Sequence, residues 1–264
     1  MKPLSIAALL LGSALVALPL AGTAPVADAA PESVTIPAGL YAFRPSGEFR
    51  QGRRIVDPPL ETRMADGPLT IMKYLVSRAE YALCVADGAC VASVEAEEEP
   101  LAQIDVSFED AEAYARWLSR ETGETWRLPT GEEWARAAAE RVRREGVIGG
   151  VENDPSARWL AEYGQNAELR GEADLRHYPQ GAFGENSLGV ADIGGNVWEW
   201  SSSCFLNGEL DAEGRITAQS EYCGVRSAEG RHRAFIIDFV RDAKRGGCSV
   251  GLPPDYLGFR LVRG

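Results

Sequence analysis

The spacing of apolar and polar positions predicts two short helices in the middle of the chain. The first begins after Ser107, whose hydroxyl can cap the helix together with Asp110, and it ends at Gly123. Its apolar positions recur at the spacing of one helical face and are Ala111, Tyr114, Ala115 and Leu118. The second helix begins after Thr130, which forms the same capping pattern with Glu133. Each helix therefore has a local start signal.

Extended segments precede these helices. The pattern over residues 34–36 predicts a short strand that ends at a turn. The pattern over residues 69–76 predicts a strand, followed by a helix that Ser77 caps. Residues 44–68 are rich in Arg, Pro and Gly and show no steady period, so we predict a surface loop there.

The N-terminal segment has the pattern of a secretory signal peptide. Lys2 precedes an apolar run over residues 4–18, and small residues then lead to Ala29, after which we expect cleavage. The apolar run is shorter than the roughly 20 residues that a membrane-spanning helix needs. We therefore expect a mature domain of residues 30–264 that is periplasmic or secreted and has no membrane span.

The charge of the chain narrows the choice of partners. Its formal net charge is −12, which argues against nucleic acid or an anionic membrane as a partner.

The mature chain is long enough for one domain with a sizeable core.

The five cysteines of an exported chain predict disulfide bonds. Cys84 and Cys90 flank an Asp-Gly turn, so a bridge between them closes a small loop. Two of Cys204, Cys223 and Cys248 are expected to pair, and Cys204 with Cys223 is the first choice. One thiol would remain, either buried and inert or functional.

The segment from Asp192 to Trp200 concentrates unusual residue types. Two adjacent glycines can turn carbonyl groups inward, and carboxylate and amide side chains surround them. Such oxygens in a loop held by Trp198 and Trp200 are suited to a hard cation such as Ca²⁺. In the alternative interpretation the tryptophans are core anchors and Glu199 pairs with an arginine.

Three motifs together resemble one protein family. They are Gly195-Asn196-Val197-Trp198-Glu199-Trp200, Arg127-Leu128-Pro129-Thr130 followed by Glu133-Trp134, and Gly258-Phe259-Arg260 near the end of the chain. In this order they resemble the formylglycine-generating enzyme family, also called the sulfatase-modifying factor family. The resemblance extends from about residue 34 to the end.

This resemblance implies a fold and metal ligands. The fold would be α+β, of C-type-lectin type, compact, with short helices, small antiparallel sheets and much irregular structure. A structural Ca²⁺ would be bound by side-chain oxygens of Asp192 and Glu199 and by the carbonyls of Gly195 and Val197. Asn166, with Asp174 as a weaker candidate, lies where the family often has ligands to a second Ca²⁺.

The resemblance also implies where catalysis would occur. Enzymes of the family convert a cysteine of a sulfatase to formylglycine with O₂ and a copper ion held by two cysteines five residues apart. If the register is counted back from Gly258, those two positions are occupied by His232 and Ile237. Isoleucine cannot bind a metal, so the copper pair is absent from its expected place.

Two functions follow from this departure. In the first, the protein is a peptide- or protein-binding accessory or maturation factor with a periplasmic partner. In the second, it is an oxidoreductase, of formylglycine-generating or non-haem type, with copper or iron at unusual ligands. His232 and Cys248 are weak candidates for catalytic or metal-binding residues in that second case.

An arginine-rich stretch offers a binding surface for the first function. Arg233, Arg241 and Arg245 lie where the family's groove binds a substrate peptide, and guanidinium groups suit carboxylates and peptide backbone. The alternative is a structural set of salt bridges whose carboxylates are Glu229, Asp238 and Asp242.

Overall fold

The computed structural model describes residues 30–94, 100–142, 146–151, 153–195, 197–246 and 249–264. The predicted signal peptide over residues 1–29, together with Asn196 and Cys248, lies outside the described residues. Among the described residues, no helix combines the length and the apolar composition needed to cross a membrane.

The first three of the described helices begin where the capping residues predict them. The described helices are α1 (Arg78–Ala86), α2 (Phe108–Thr122), α3 (Gly131–Ala138), α4 (Pro155–Arg170) and α5 (Ala243–Gly246), with a 3-10 turn at Ala139–Arg141. Ser77, Ser107 and Thr130 each accept a hydrogen bond from the backbone three residues on, and the acidic residue there bonds back. The predictions for the first three helices are thus confirmed.

The strands are short except for one long hairpin. In chain order they are β1 (Ser33–Ile36), β2 (Gly39–Phe43), β3 (Gly47–Gln51), β4 (Arg54–Val56), β5 (Glu61–Ala65), β6 (Leu69–Met72), β7 (Trp126–Arg127), β8 (Trp198–Leu210), β9 (Ile216–Glu229), β10 (Ala234–Ile237), β11 (Ser249–Val250), β12 (Leu257–Gly258) and β13 (Val262–Arg263). The strand predicted over residues 69–76 is β6, which ends at Met72 because the chain turns there toward α1.

These strands form two larger sheets and a small pair. The order of the first sheet is β1-β6-β13-β7, so the last strand of the chain lies between early strands. The order of the second is β11-β10-β9-β8-β3-β4, with β12 beside β8, and β2 pairs separately with β5. The result is a mixed α+β fold, as expected.

The prediction of a surface loop over residues 44–68 is wrong, because this segment contains β3, β4 and β5. β3 runs parallel to β8, with Gly47 opposite Leu206. A Cβ at Gly47 would stand 2.0 Å from the Leu206 carbonyl oxygen, so glycine is required for the two backbones to approach. The partner strand is distant in sequence, and the local pattern therefore gave no sign of the pairing.

The tryptophan segment lies at the centre of the core. Trp198 and Trp200 are both 0% exposed. Their indole N–H groups donate to the carbonyls of His232 and Val106, at 2.9 and 2.8 Å. The prediction that the tryptophans are core anchors is confirmed, and both of these indole N–H groups have a partner.

Glu199, the residue between the two tryptophans in sequence, forms a fully buried ion pair with Arg260. Both side chains are 0% exposed, and Nε and Nη2 donate to the two carboxylate oxygens at 2.6 and 2.9 Å. The remaining guanidinium donors bond to carbonyls of Met72, Lys73 and Ala191. The alternative interpretation, in which Glu199 pairs with an arginine, therefore describes the structure.

The replacement Arg260→Leu should lower the free energy of unfolding by about 3–5 kcal/mol, because it leaves the Glu199 carboxylate buried without its partner. The matched control is Arg263→Leu, which removes a pair with Glu124 whose side chains are 44% and 42% exposed. That change should cost at most about 1 kcal/mol. Urea unfolding of both variants measures the difference, and equal losses would contradict the role of the buried pair.

Candidate functional site

Asp192, the first residue of the tryptophan segment, holds the turn that precedes this segment. Its backbone is left-handed, with φ of 59°, a conformation that aspartate tolerates better than most residues. Its two carboxylate oxygens accept hydrogen bonds from the N–H groups of Gly181 and Phe183, at 2.6 and 2.8 Å. The side chain therefore fixes the preceding turn.

The other predicted calcium ligands also have protein partners. Both oxygens of Glu199 bind Arg260, and the Gly195 carbonyl accepts from Arg231 at 3.1 Å. Val197 is 8% exposed and packs in an apolar cluster. The side-chain oxygens of Asp192 and Glu199 and the Gly195 carbonyl thus already accept hydrogen bonds from protein donors. Calcium at this place stays a prediction from the sequence.

The residues predicted for a second calcium site lie apart from this segment. Asn166 is 4% exposed in α4, at the wall of a cleft. Asp174 forms hydrogen bonds with Arg176 and Tyr178, and those from Arg176 contribute most to holding the pKa of its carboxyl well below the ordinary value. The calcium role of both residues stays a prediction.

The cysteines pair as predicted. Cys84 bonds to Cys90 at the end of α1, and Cys204 bonds to Cys223 across the hairpin of β8 and β9. Cys248, a weak catalytic candidate, lies outside the described residues.

His232 is part of the wall of the core. It is 2% exposed, and its ring lies 5.1 Å from that of Trp198. Its Nδ1 is 3.1 Å from the Arg233 carbonyl oxygen. His177, the other histidine, instead packs against Tyr256 at 4.9 Å. The two imidazoles thus contact different parts of the protein.

One group of side chains among the described residues has its possible metal-ligand atoms close together. It consists of Cys204, Glu221 and Cys223, whose ligand atoms lie within 4.8 Å of one another. The two sulfurs are bonded to each other, and a disulfide sulfur is not the thiolate that metals bind. In the oxidised state this group is therefore not a metal site.

The predicted arginine surface is divided between two ion pairs. Arg233 binds both oxygens of Glu229, at 2.9 and 3.1 Å. Arg241 binds both oxygens of Asp110, at 2.7 and 2.8 Å, and these hydrogen bonds raise the pKa of its guanidinium. Arg245 lies in α5.

The salt-bridge alternative therefore holds for Arg233, which pairs with Glu229, and for Arg241, whose partner is Asp110 instead of one of the expected carboxylates. Asp110 also accepts the capping hydrogen bond from Ser107. It joins α2 to the segment after β10, and no local spacing predicts that contact.

A cleft of about 220 Å³ lies between α4, the loop before β3, and β10. Its lining includes Trp159, Asn166, Phe205, Arg233 and Phe235. The rings of Phe205 and Phe235 meet edge to face at 4.8 Å. Sequence reasoning selected Arg233 and Asn166 but missed the aromatic residues, because they come from three separate elements.

The outer rim of this cleft is an exposed aromatic surface on α4. Trp159 is 51% exposed and Tyr163 39%, and their rings are 5.6 Å apart. Beneath them, Arg158 pairs with Asp57 at 2.6 Å, with both side chains largely buried. The ion pair fixes the start of α4 against the loop that follows β4.

The profile of the sulfatase-modifying factor enzyme 1-like domain matches residues 19–264, and the chain therefore belongs to this family. It is 29% identical over 167 residues to the inactive C-alpha-formylglycine-generating enzyme 2 of Bos taurus, which covers 61% of this chain and 50% of that protein. The chain thus spans about half the length of this relative.

Two further relatives match shorter stretches. The formylglycine-generating enzyme of Streptomyces coelicolor is 33% identical over 106 residues, covering 39% of this chain and 32% of that protein. The hercynine oxygenase of Mycolicibacterium smegmatis is 39% identical over 102 residues, covering 37% and 21%. The structure of PvdO from Pseudomonas aeruginosa matches in fold, with a TM-score of 0.56 and 20% identity over 88% of this chain and 94% of that one.

We expect the thermal unfolding midpoint to be the same in Ca²⁺ and in EGTA, because Asp192, Glu199 and the Gly195 carbonyl already bond to protein donors. Asp192→Ala should destabilise the protein under both conditions, by about 1–3 kcal/mol, since two backbone N–H groups lose their acceptor. Differential scanning calorimetry measures both. A midpoint that rises with Ca²⁺ in the wild type, but not in Asp192→Ala, would instead establish the calcium site.

Proposed function

We propose that the protein is a binding member of its family. It holds a peptide, or a segment of another exported protein, as an accessory or maturation factor and does not use copper–thiolate chemistry. The state of the cysteines is the observation that carries this proposal. Four of the five cysteines lie in disulfides, which leaves at most one thiol (5 − 4 = 1). A copper ion held by two cysteines needs two thiolates.

The positions where the family's cysteines are expected support the same proposal. His232 packs against Trp198 and offers one imidazole, and Ile237 is the last residue of β10. An aliphatic side chain cannot replace a thiolate. The relative from Bos taurus, at 29% identity, carries the word inactive in its own name.

The size of the cleft beside α4 favours a polymeric ligand. Its volume of about 220 Å³ is below the roughly 300–1,000 Å³ of ordinary small-molecule sites. Such a pocket suits one large side chain, and the rest of the ligand would have to lie outside it. Phe205 and Phe235 make the interior apolar, so an aromatic or large aliphatic side chain fits best.

The surface next to the pocket can receive the remainder of such a ligand. Trp159 and Tyr163 present adjacent rings to solvent on α4, and aromatic residues are typical anchors of protein–protein contacts. Arg233, held by Glu229, adds a positioned guanidinium at the inner wall. We infer that an extended peptide inserts one side chain into the cleft and crosses the face of α4.

The oxidoreductase alternative would need metal ligands outside the expected positions. The name of the relative from Mycolicibacterium smegmatis is that of an oxygenase. In this chain, however, the two histidines contact different residues, Trp198 and Tyr256. The geometry of the described residues therefore favours the binding function.

The first test counts thiols and copper. Denatured, non-reduced protein should react with one equivalent of a thiol reagent per chain, and the native protein should retain less than one equivalent of Cu(I) after dialysis against a chelator. Reagent titration and elemental analysis measure these quantities. Three thiols per chain, or stoichiometric copper lost in His232→Ala, would favour the oxidoreductase.

The second test concerns the cleft. A displayed library of random linear peptides should yield binders that share an aromatic or large aliphatic residue. Trp159→Ala should weaken the binding of a selected peptide about tenfold, because a ring at the rim is lost. Phe239→Ala is the matched control, since Phe239 is 65% exposed and lies outside the cleft lining. Equal effects of the two changes in calorimetric titration would refute the assignment of the site.

A further inference from the structure

The disulfide between Cys204 and Cys223 has two sulfurs in contrasting surroundings. Cys204 is 7% exposed, whereas Cys223 lies in the exposed part of β9. A thiol from solvent can therefore reach Cys223 but not Cys204. In the other bridge both residues are buried, with Cys84 at 0% and Cys90 at 8%.

The guanidinium group of Arg226 contacts the buried sulfur of Cys204. Nη1 of Arg226 lies 3.1 Å from Cys204 Sγ and also donates to the Ser202 carbonyl at 2.8 Å. The guanidinium stacks 4.3 Å from the ring centre of Phe108. Arg226 pairs with no carboxylate in the described part of the chain. Its charge is therefore available to a thiolate that forms at Cys204.

We propose that Cys204–Cys223 is a thiol–disulfide exchange site with a fixed direction of attack. A thiolate attacks Cys223 Sγ, a new sulfur–sulfur bond forms there, and the original bond breaks. Its electron pair remains on Cys204 as a thiolate next to Arg226. A second thiolate then attacks the mixed disulfide and releases Cys223, so that two small thiols, or one dithiol, are oxidised as the bridge is reduced.

The direction follows from leaving-group chemistry. Exchange is faster when the departing sulfur has a lower thiol pKa, and a nearby arginine lowers the pKa of a thiol. At this bridge the departing sulfur is the one that Arg226 contacts, and the attacked sulfur is the accessible one. Both factors favour the same direction. This inference does not depend on the proposed binding function.

The test uses the purified protein carrying Cys248→Ser, so that only the bridge cysteines can yield thiols. After brief treatment with 2-mercaptoethanol, an uncharged monothiol, and acid quenching, peptide mass mapping should find the adduct on Cys223 and a free thiol at Cys204. The Cys84–Cys90 bridge should open at least about tenfold more slowly, because both of its sulfurs are buried. An adduct on Cys204, or equal opening of the two bridges, would overturn the proposal.

Matched variants test the part played by Arg226. Arg226→Gln should slow the opening of the bridge about 3- to 10-fold, whereas Arg226→Lys, which keeps the charge, should retain most of the rate. A melting curve for each variant checks that it is folded. Equal opening rates in the wild type and in Arg226→Gln would contradict the role of the arginine. Adduct mapping in the wild type tests the direction of attack even if a variant does not fold.

Discussion

The bond between Glu199 and Arg260 is the constraint on which the rest of the fold depends. A glutamate between two fully buried tryptophans places a charge where no water can solvate it. Arg260 makes this position tolerable because it binds both carboxylate oxygens while its other donors reach backbone carbonyls after β6 and before Asp192. The pair therefore joins the central hairpin, the first sheet and the C-terminal segment.

The features predicted from the sequence are those with local causes. Capping residues identified the starts of α1, α2 and α3, and the Cys84–Cys90 loop is short enough to be inferred from spacing. Contacts between distant segments were not accessible in this way. The pairing of β3 with β8 and the bond between Arg241 and Asp110 both join segments far apart in sequence. The cleft could not be predicted from local sequence either, because its aromatic rings come from β8, β10 and α4.

The described cysteines lie at other places in this chain than those that the family resemblance implies. At the expected positions, His232 packs on Trp198 and Ile237 ends β10, so these residues contribute to packing. The described sulfurs instead bridge α1 to its following loop and β8 to β9. A disulfide cross-links the hairpin beside Phe205, whose ring reaches the cleft. The disulfide and a residue that lines the cleft are therefore neighbours on one strand.

A calcium ion at the tryptophan segment and the buried ion pair are competing uses of the same oxygens. A bidentate guanidinium occupies both oxygens of Glu199 and already neutralises its charge. A divalent cation there would have to displace Arg260 from its carbonyl acceptors or lie against its positive charge, and both are costly without water. Asp192 is committed as well, because its oxygens hold the N–H groups of Gly181 and Phe183. The arginine thus supplies, from within the chain, a positive charge directly beside Glu199.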